Sequence, residues 1–259
     1  MQFQTLTYAE CEGILHVKLN RPEKRNAVNF QMFSDIEACF SQIATQSNVK
    51  VVLLSGEGKG FSAGTDLLAF GSIGAGPSVR RLARLAQRAY NEIEYLEKVV
   101  IAVIHNFCFG IGLEMALACD LRICSDGTLF NIPEVNVGLV PDGGGSQRLP
   151  RIIGLGRAKE LILTGRTIDA AEAQRWGMVN RVVKPDELES AGIAWAKEIS
   201  GNGLAAIGLA KRNIDLSFSQ SMYDGLEGAG LAQSLAFTDP GYLKLMEQRL
   251  AAKTKGKKA

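Results

Sequence analysis

The chain has 259 residues, 46% apolar and 22% charged, which is the balance of a soluble globular protein rather than a disordered one. Lys plus Arg number 29 and Asp plus Glu 27, so a net charge of +2 gives no global field that argues for nucleic acid or a membrane surface as the main partner. The five cysteines lack a CxxC pair and there are only two histidines, His16 and His105, which argues against a Cys/His metal site and fits buried thiols in a reducing compartment.

In chain order, MQFQTLTYAE (1–10) shows neither the basic nor the apolar region of a signal peptide, and no apolar stretch reaches the length of a membrane span. A cytoplasmic protein is expected. ILHVKL (14–19) reads as a buried strand. From Phe30 to Ala44, Phe33, Ile36, Phe40 and Ile43 recur at helical spacing. VVLLS (51–55) is a second strand, and Val79 to Leu96 repeats Leu82, Leu85, Ala89 and Ile93 as a helix with arginines on its other face. VVIAVI (99–104) and VNRVV (179–183) are further strands, and strands alternating with helices predict an α/β architecture. After about residue 200 the pattern is helical only. The end, KTKGKKA, carries Lys253, Lys255, Lys257 and Lys258; it reads as a solvated terminus, with an anion-binding arm as the alternative.

Glycine clusters at 56–64, 71–76, 110–112 and 142–145 mark sharp turns or close approach of backbone to a ligand. None is a nucleotide fingerprint. Gly58-Lys59-Gly60 lacks the Ser/Thr and upstream spacing of a P-loop, and Gly110-Ile111-Gly112 lacks the third glycine of the dinucleotide motif.

Two carboxylates stand out. Glu114 is the sole charged residue from Val99 to Cys119, and Glu134 the sole one from Gly127 to Pro141. A carboxyl held where water is scarce resists ionisation, and two together suggest a site in which one is protonated and the other is not. The alternative is a pair of buried carboxylates satisfied by backbone donors or an arginine.

Five segments in order, NRPEKRNAVN (20–29), GKGFSAGTDL (58–67), VIAVIHNFCFGIGLEMALACDLRI (100–123), PEVNVGLVPDGGGSQRLPRIIG (133–154) and LTGRTIDAAEAQRWGMVNRVV (163–183), resemble the enoyl-CoA hydratase/isomerase (crotonase) family. The resemblance implies an α/β fold: a spiral of ββα units, residues 1–199, holding the CoA and catalytic sites, then a C-terminal helical trimerisation region, 200–259. It implies an acyl-CoA thioester as substrate, with coenzyme A part of that substrate and no separate cofactor. It also implies a homotrimer or a dimer of trimers. In such proteins two backbone N–H groups bind the thioester carbonyl; by position these belong to Thr65 and Ile111. Family members often carry glycine where this chain has Ile111, but only the N–H is needed.

The family's two hydratase glutamates fall on Glu114 and Glu134. The resemblance assigns delivery of a proton to C2 to Glu134 and orientation or deprotonation of water to Glu114. Asp142 is a third candidate: either it caps the helix running through Gln147, or it moves protons as in a dienoyl-CoA isomerase. For CoA the matching positions are Arg25, Ala27, Ala63, Asp66 and Leu67, and residues 68–88 match the family's variable acyl-pocket region. The segment TDPGYLKLMEQR (238–249) departs from the family's usual C-terminal pattern, so no CoA contact is carried over from that end. The leading expectation is an enoyl-CoA hydratase. The alternatives are a dienoyl- or enoyl-CoA isomerase using Glu134 and Asp142, and a non-catalytic member binding acyl-CoA, a protein, or RNA through the lysine tail.

Overall fold

Residues 2–71 and 77–255 of a computed structural model are described. Residues 72–76 of the expected acyl-pocket region, and Lys257 and Lys258 of the tail, lie outside them.

Six strands form the main sheet in the order β1-β2-β3-β4-β6-β9: β1 (Leu6–Cys11), β2 (Ile14–Leu19), β3 (Val51–Gly56), β4 (Val99–Ile104), β6 (Leu121–Ser125) and β9 (Arg181–Val183). Only the β1–β2 hairpin is antiparallel; every other pairing in this sheet is parallel. A three-stranded sheet, β5-β7-β8, joins β5 (Phe107–Phe109), β7 (Leu129–Asn131) and β8 (Ile168–Asp169).

The uniformly apolar strands are those covered on both faces. In β4, Val100, Ala102 and Ile104 enter the larger core, while Val99, Ile101 and Val103 face a second cluster with Leu188, Trp195 and Ala196. Those last three lie on α8 (Leu188–Ser200). On the other side α1 (Phe30–Ala44) and α3 (Pro77–Tyr95) pack together, with the Phe33 and Tyr90 rings edge to face at 5.9 Å. Asn29 caps α1 by accepting from Met32 N at 2.9 Å, which sets the helix start at Phe30. Strands 14–19 and 99–104 and helix 30–44 match their expected bounds. The last strand is shorter than expected, starting at Arg181, because Met178 and Val179 approach it in a turn anchored by Arg122. Five strands carry too little periodicity to read from sequence: β1, β5, β6, β7 and β8.

Two helices carry the site. The first, α4 (Ile111–Ala118), follows β5 and is wholly buried. Its far end is closed by Arg122, 5% exposed, whose guanidinium donates to the carbonyls of Ala116, Cys119 and Asp120 while Nε donates to Met178 O. The second, α5 (Gly145–Ile153), follows the 142–144 turn, and the shorter helices α2 (Leu67–Phe70), α6 (Leu155–Thr164) and α7 (Ala170–Arg175) complete the series up to α8. After Gly201–Gly203 come α9 (Leu204–Leu216), α10 (Met222–Thr238) and α11 (Pro240–Lys255). Lys211 ties α9 to the core through Asp120 at 2.9 Å. Leu226, Leu231, Leu235 and Phe237 of α10 and Leu243 and Leu250 of α11 remain exposed.

Candidate active site

Two turns distant in sequence are brought side by side. Residues 25–28 run beside 63–66: Ala63 N donates to Arg25 O, Val28 N to Gly64 O and Asp66 N to Val28 O. In this parallel bridge between Val28 and Thr65, the Thr65 N–H points away from Val28 and makes no hydrogen bond among the described residues. Ser62 then pairs with Cys108, and its Oγ is buried on Asn26 O. Ile111 is the first residue of α4, so its N–H has no acceptor within the helix. Gly110, at φ 50°, turns the chain into that helix.

Glycine makes the juxtaposition possible. A Cβ on Gly112 would meet Ser62 Cβ and Oγ at 2.5 Å, and one on Gly110 would meet Glu134 Oε1 at 2.7 Å. A side chain at 112 would displace Ser62, and one at 110 would strain the φ 50° turn and push the Glu134 carboxyl aside. Gly112→Ala would push the first turn of α4 away from Ser62 and separate the Thr65 and Ile111 donors. A kcat loss of about 10²-fold or more is expected, comparable to removing one oxyanion donor. Gly156→Ala, where a Cβ meets nothing within 4 Å, is the control. Steady-state kinetics checks this, and unchanged kcat in Gly112→Ala would refute it.

The two glutamates meet at this place. Glu114, in the first turn of α4, is 1% exposed. Its Oε1 accepts from Gly145 N at 2.6 Å and its Oε2 from Gly143 N at 3.2 Å. Its carboxyl therefore sits at the start of α5 and accepts the first N–H of that helix. Burial nevertheless pushes its pKa up to about 8, and the negative charges of Glu134 and Asp142 push the same way; the two N–H bonds oppose them. Glu134 begins the 3-10 turn Glu134–Val137, with Oε1 against Gly110 and Oε2 buried without a hydrogen-bond partner among the described residues. Burial raises its pKa, and Asp142 adds to the rise. The two carboxyls lie close enough to act on each other, and among the described residues no cation is bonded to either. They titrate as a coupled pair, and burial pushes both toward the protonated form.

Asp142 is not the helix cap that its position suggested. Helix α5 starts at Gly145 with Gly144 as N-cap, no side chain caps it, and the open N–H of Gly145 is taken by Glu114. Asp142 is half-buried and its pKa is raised by that burial. Its charge acts on both glutamates, raising their pKa values. The bland reading of Glu114, a buried carboxylate on backbone donors, describes its bonding correctly but leaves its raised pKa and the unpartnered Glu134 oxygen to explain.

Of the CoA candidates, Ala27 and Ala63 are half-buried on adjoining strands of backbone, Arg25 is exposed in a left-handed turn at φ 52°, and Leu67 is 67% exposed. The Asp66 carboxylate is already taken: it accepts from Arg21 Nη2 at 2.9 Å and from Ala69 N at 3.3 Å, and the Arg21 bond holds its pKa down. Its backbone is what remains for a ligand. Sequence reasoning passed over Arg21, although it sits in the quoted NRPEKRN segment. It also passed over Tyr90, whose hydroxyl donates to Ile111 O at 2.9 Å, and Arg148, 8% exposed, whose Nη1 donates to Gly143 O at 3.0 Å. A different cavity, about 700 Å³, lies at the far end of α4 against α9, lined by Cys119, Asp120, Lys211 and Asp215. It does not reach the carboxylates.

A family model described as enoyl-CoA hydratase/isomerase matches residues 9–235. The chain is 38% identical to the short-chain-enoyl-CoA hydratase of Clostridium acetobutylicum over 208 residues, 80% of this chain and 79% of that one. It is 37% identical to the mitochondrial Delta(3,5)-Delta(2,4)-dienoyl-CoA isomerase of Pongo abelii over 225 residues, 82% of this chain and 69% of that one. The crystal structure of an enoyl-CoA hydratase from Bacillus anthracis superposes with a TM-score of 0.91 at 33% identity, covering 97% of each chain.

Proposed function

This chain belongs to the enoyl-CoA hydratase/isomerase family, and from that premise we propose that it adds water across the 2,3 double bond of a trans-2-enoyl-CoA to give a 3-hydroxyacyl-CoA. The observation that carries this reading is the buried Glu114 carboxyl with the half-buried Glu134, whose Oε2 is buried without a partner, beside two backbone N–H groups that have no acceptor among the described residues. The N–H groups of Thr65 and Ile111 receive the thioester oxygen, and the positive end of α4 adds to their pull. As the water oxygen bonds to C3, the π electrons pass through C2 to that thioester oxygen. One carboxyl takes the proton leaving the water and a carboxyl proton is delivered to C2, so the pair ends with as many protons as it began. In this reading Glu134 delivers to C2 and Glu114 handles the water. Burial pushes both carboxyls toward the protonated form, which keeps a proton available on the pair.

Residues 25–28 and 63–67 are the proposed path of the CoA moiety. Coenzyme A enters and leaves with the substrate, and the chemistry calls for no further cofactor. Among the described residues no helix is long and apolar enough to cross a membrane. All five cysteines are free, which supports a reducing, cytoplasmic setting. The exposed apolar residues of α10 and α11 support a trimer or a dimer of trimers, which light scattering would read as a multiple of 27.9 kDa.

A second reading has its own observation. Asp142 carries a raised pKa and no helix-capping bond, as a proton shuttle for a 3,5- to 2,4-dienoyl-CoA isomerisation would. Mass spectrometry of products from a panel of 2-enoyl- and 3,5-dienoyl-CoAs decides: hydration adds the mass of one water, and isomerisation adds nothing. The hydratase reading fails if short, medium and aromatic 2-enoyl-CoAs all remain unhydrated.

A further inference from the structure

One face of α3 grips the turn that holds Glu114. Gln87, Asn91 and Glu94 stand at i, i+4 and i+7, on one side of the helix. Gln87 Nε2 donates to Asp142 O at 2.8 Å. Asn91 Oδ1 accepts from Arg148 Nη2 at 2.8 Å, and Glu94 Oε2 accepts from the same nitrogen at 2.6 Å and from Arg148 Nε at 3.2 Å. Arg148 Nη1 in turn donates to Gly143 O at 3.0 Å. Two successive peptide oxygens, those of Asp142 and Gly143, are thus pinned from α3, one directly and one through Arg148.

The other end of the first peptide matters. Asp142 C=O and Gly143 N–H belong to the same planar trans amide, so they point in opposite directions. Gln87 holds the oxygen and Glu114 Oε2 receives the hydrogen at 3.2 Å. A donor on the oxygen fixes the direction of the N–H and polarises it, strengthening the bond to Glu114. A cavity of about 580 Å³, lined by Gln87, Asn91, Asp142, Gly143 and Arg148 among others, lies along this contact, so Gln87 acts at a solvent-accessible border rather than within a packed core.

We propose that Gln87 is a positioning residue for the hydration reaction: through the Asp142–Gly143 peptide it aims a backbone N–H at Glu114 and sets how readily that carboxyl ionises. This rests on the hydratase reading only for its effect on turnover. The groups facing Glu114 are Tyr90 from α3, Glu134 from the 3-10 turn, Asp142 from the turn before α5, and Arg148 from α5 by way of Gly143. Of these, only Asp142 is bonded to Gln87, through its carbonyl oxygen. Losing the Gln87 donor weakens one of the two bonds that favour ionised Glu114, so its pKa rises further.

Gln87→Leu removes the donor and leaves a side chain one atom shorter, and Gln87 is exposed, so the thermal midpoint should change little. NMR titration of protein labelled at the glutamate carboxyl carbon, with Glu114 assigned by its loss in Glu114→Gln, reads the pKa without turnover. The Glu114 midpoint is expected to rise by about half a pH unit or more, the scale of one weakened neutral hydrogen bond. The pH dependence of kcat should move in parallel, with KM within about twofold. Gln87→Lys, which supplies a donor again, should bring the midpoint back to the wild-type value or below. An unchanged Glu114 midpoint in Gln87→Leu overturns the proposal. So does a uniform loss of kcat at all pH values with an unmoved midpoint, the mark of a merely structural role. Wild-type protein that hydrates no enoyl-CoA overturns the hydratase reading instead and leaves the titration result standing.

Discussion

Glu134→Gln is expected to lower kcat for hydration of a 2-enoyl-CoA by about 10²- to 10⁴-fold, the usual contribution of a positioned acid or base, with KM little changed. The amide keeps the size and polarity of the side chain beside Gly110 but can neither release nor take up a proton at neutral pH. Glu114→Gln should lose activity on the same scale, because the two carboxyls act on one water. Asp142→Asn separates the readings. Under hydration it costs only a few-fold, since Asp142 contributes charge to the pair and no transferred proton. Under dienoyl isomerisation it would be as damaging as Glu134→Gln, while Glu114→Gln would be mild. Absorbance of the enoyl thioester and of the conjugated diene follows both reactions. A Glu134→Gln protein that hydrates at the wild-type rate would remove this residue from the mechanism.

The second large effect is on stability. Burial raises the Glu114 pKa to about 8, against a value near the ordinary carboxylate range in the unfolded chain. A folded-state pKa above the unfolded one means that the folded form binds the proton more tightly. The stability this contributes is complete below about pH 4.5 and declines as the pH rises, lost once the pH passes through about 8. Wild-type protein should therefore lose on the order of a few kcal/mol from this group across that window. Glu114→Gln cannot ionise, so its stability should fall less steeply over the same range. Glu134 and Asp142 remain in both proteins, and losing the neighbouring Glu114 charge makes them easier to ionise when folded, which flattens the variant's curve further. Denaturant melts of the two proteins between pH 5 and 9 give the comparison. Parallel curves would show that Glu114 ionises no less easily when folded than when unfolded.

The same contacts explain why Asp142 misled a reading by position. A short polar residue ahead of a helical pattern is an ordinary N-cap signal, and GGGSQR offers several starting points. Helix α5 begins at Gly145, and the donor that an N-cap would have taken goes to a carboxylate 31 residues earlier in the chain. Nothing local to 142–147 announces that partner. Likewise, Gln87, Asn91 and Glu94 carry no signal in the sequence beyond lying off the Leu82, Leu85, Ala89 and Ile93 stripe of their helix. They become a grip on the 142–144 turn only because α3 lies across residues 54 to 57 positions further along.

What the sequence determined by itself is the material with a local or collinear signature. The apolar runs of β2, β3 and β4 follow from burial on both faces, and helix 30–44 from its spacing and its Asn29 cap. The isolation of Glu114 and Glu134 in uncharged segments already marked them as carboxyls without water, and the order of five motifs led to the family. Only the tertiary structure decided how these parts meet: Ser62 against Gly112, Glu134 against Gly110, Glu114 on the start of α5, Gln87 behind the peptide that faces Glu114. Periodicity and propensity are properties of neighbours within a turn or two. Hydrogen bonds and close packing between residues tens of positions apart depend on how the chain comes back on itself, and they leave no trace in the local pattern.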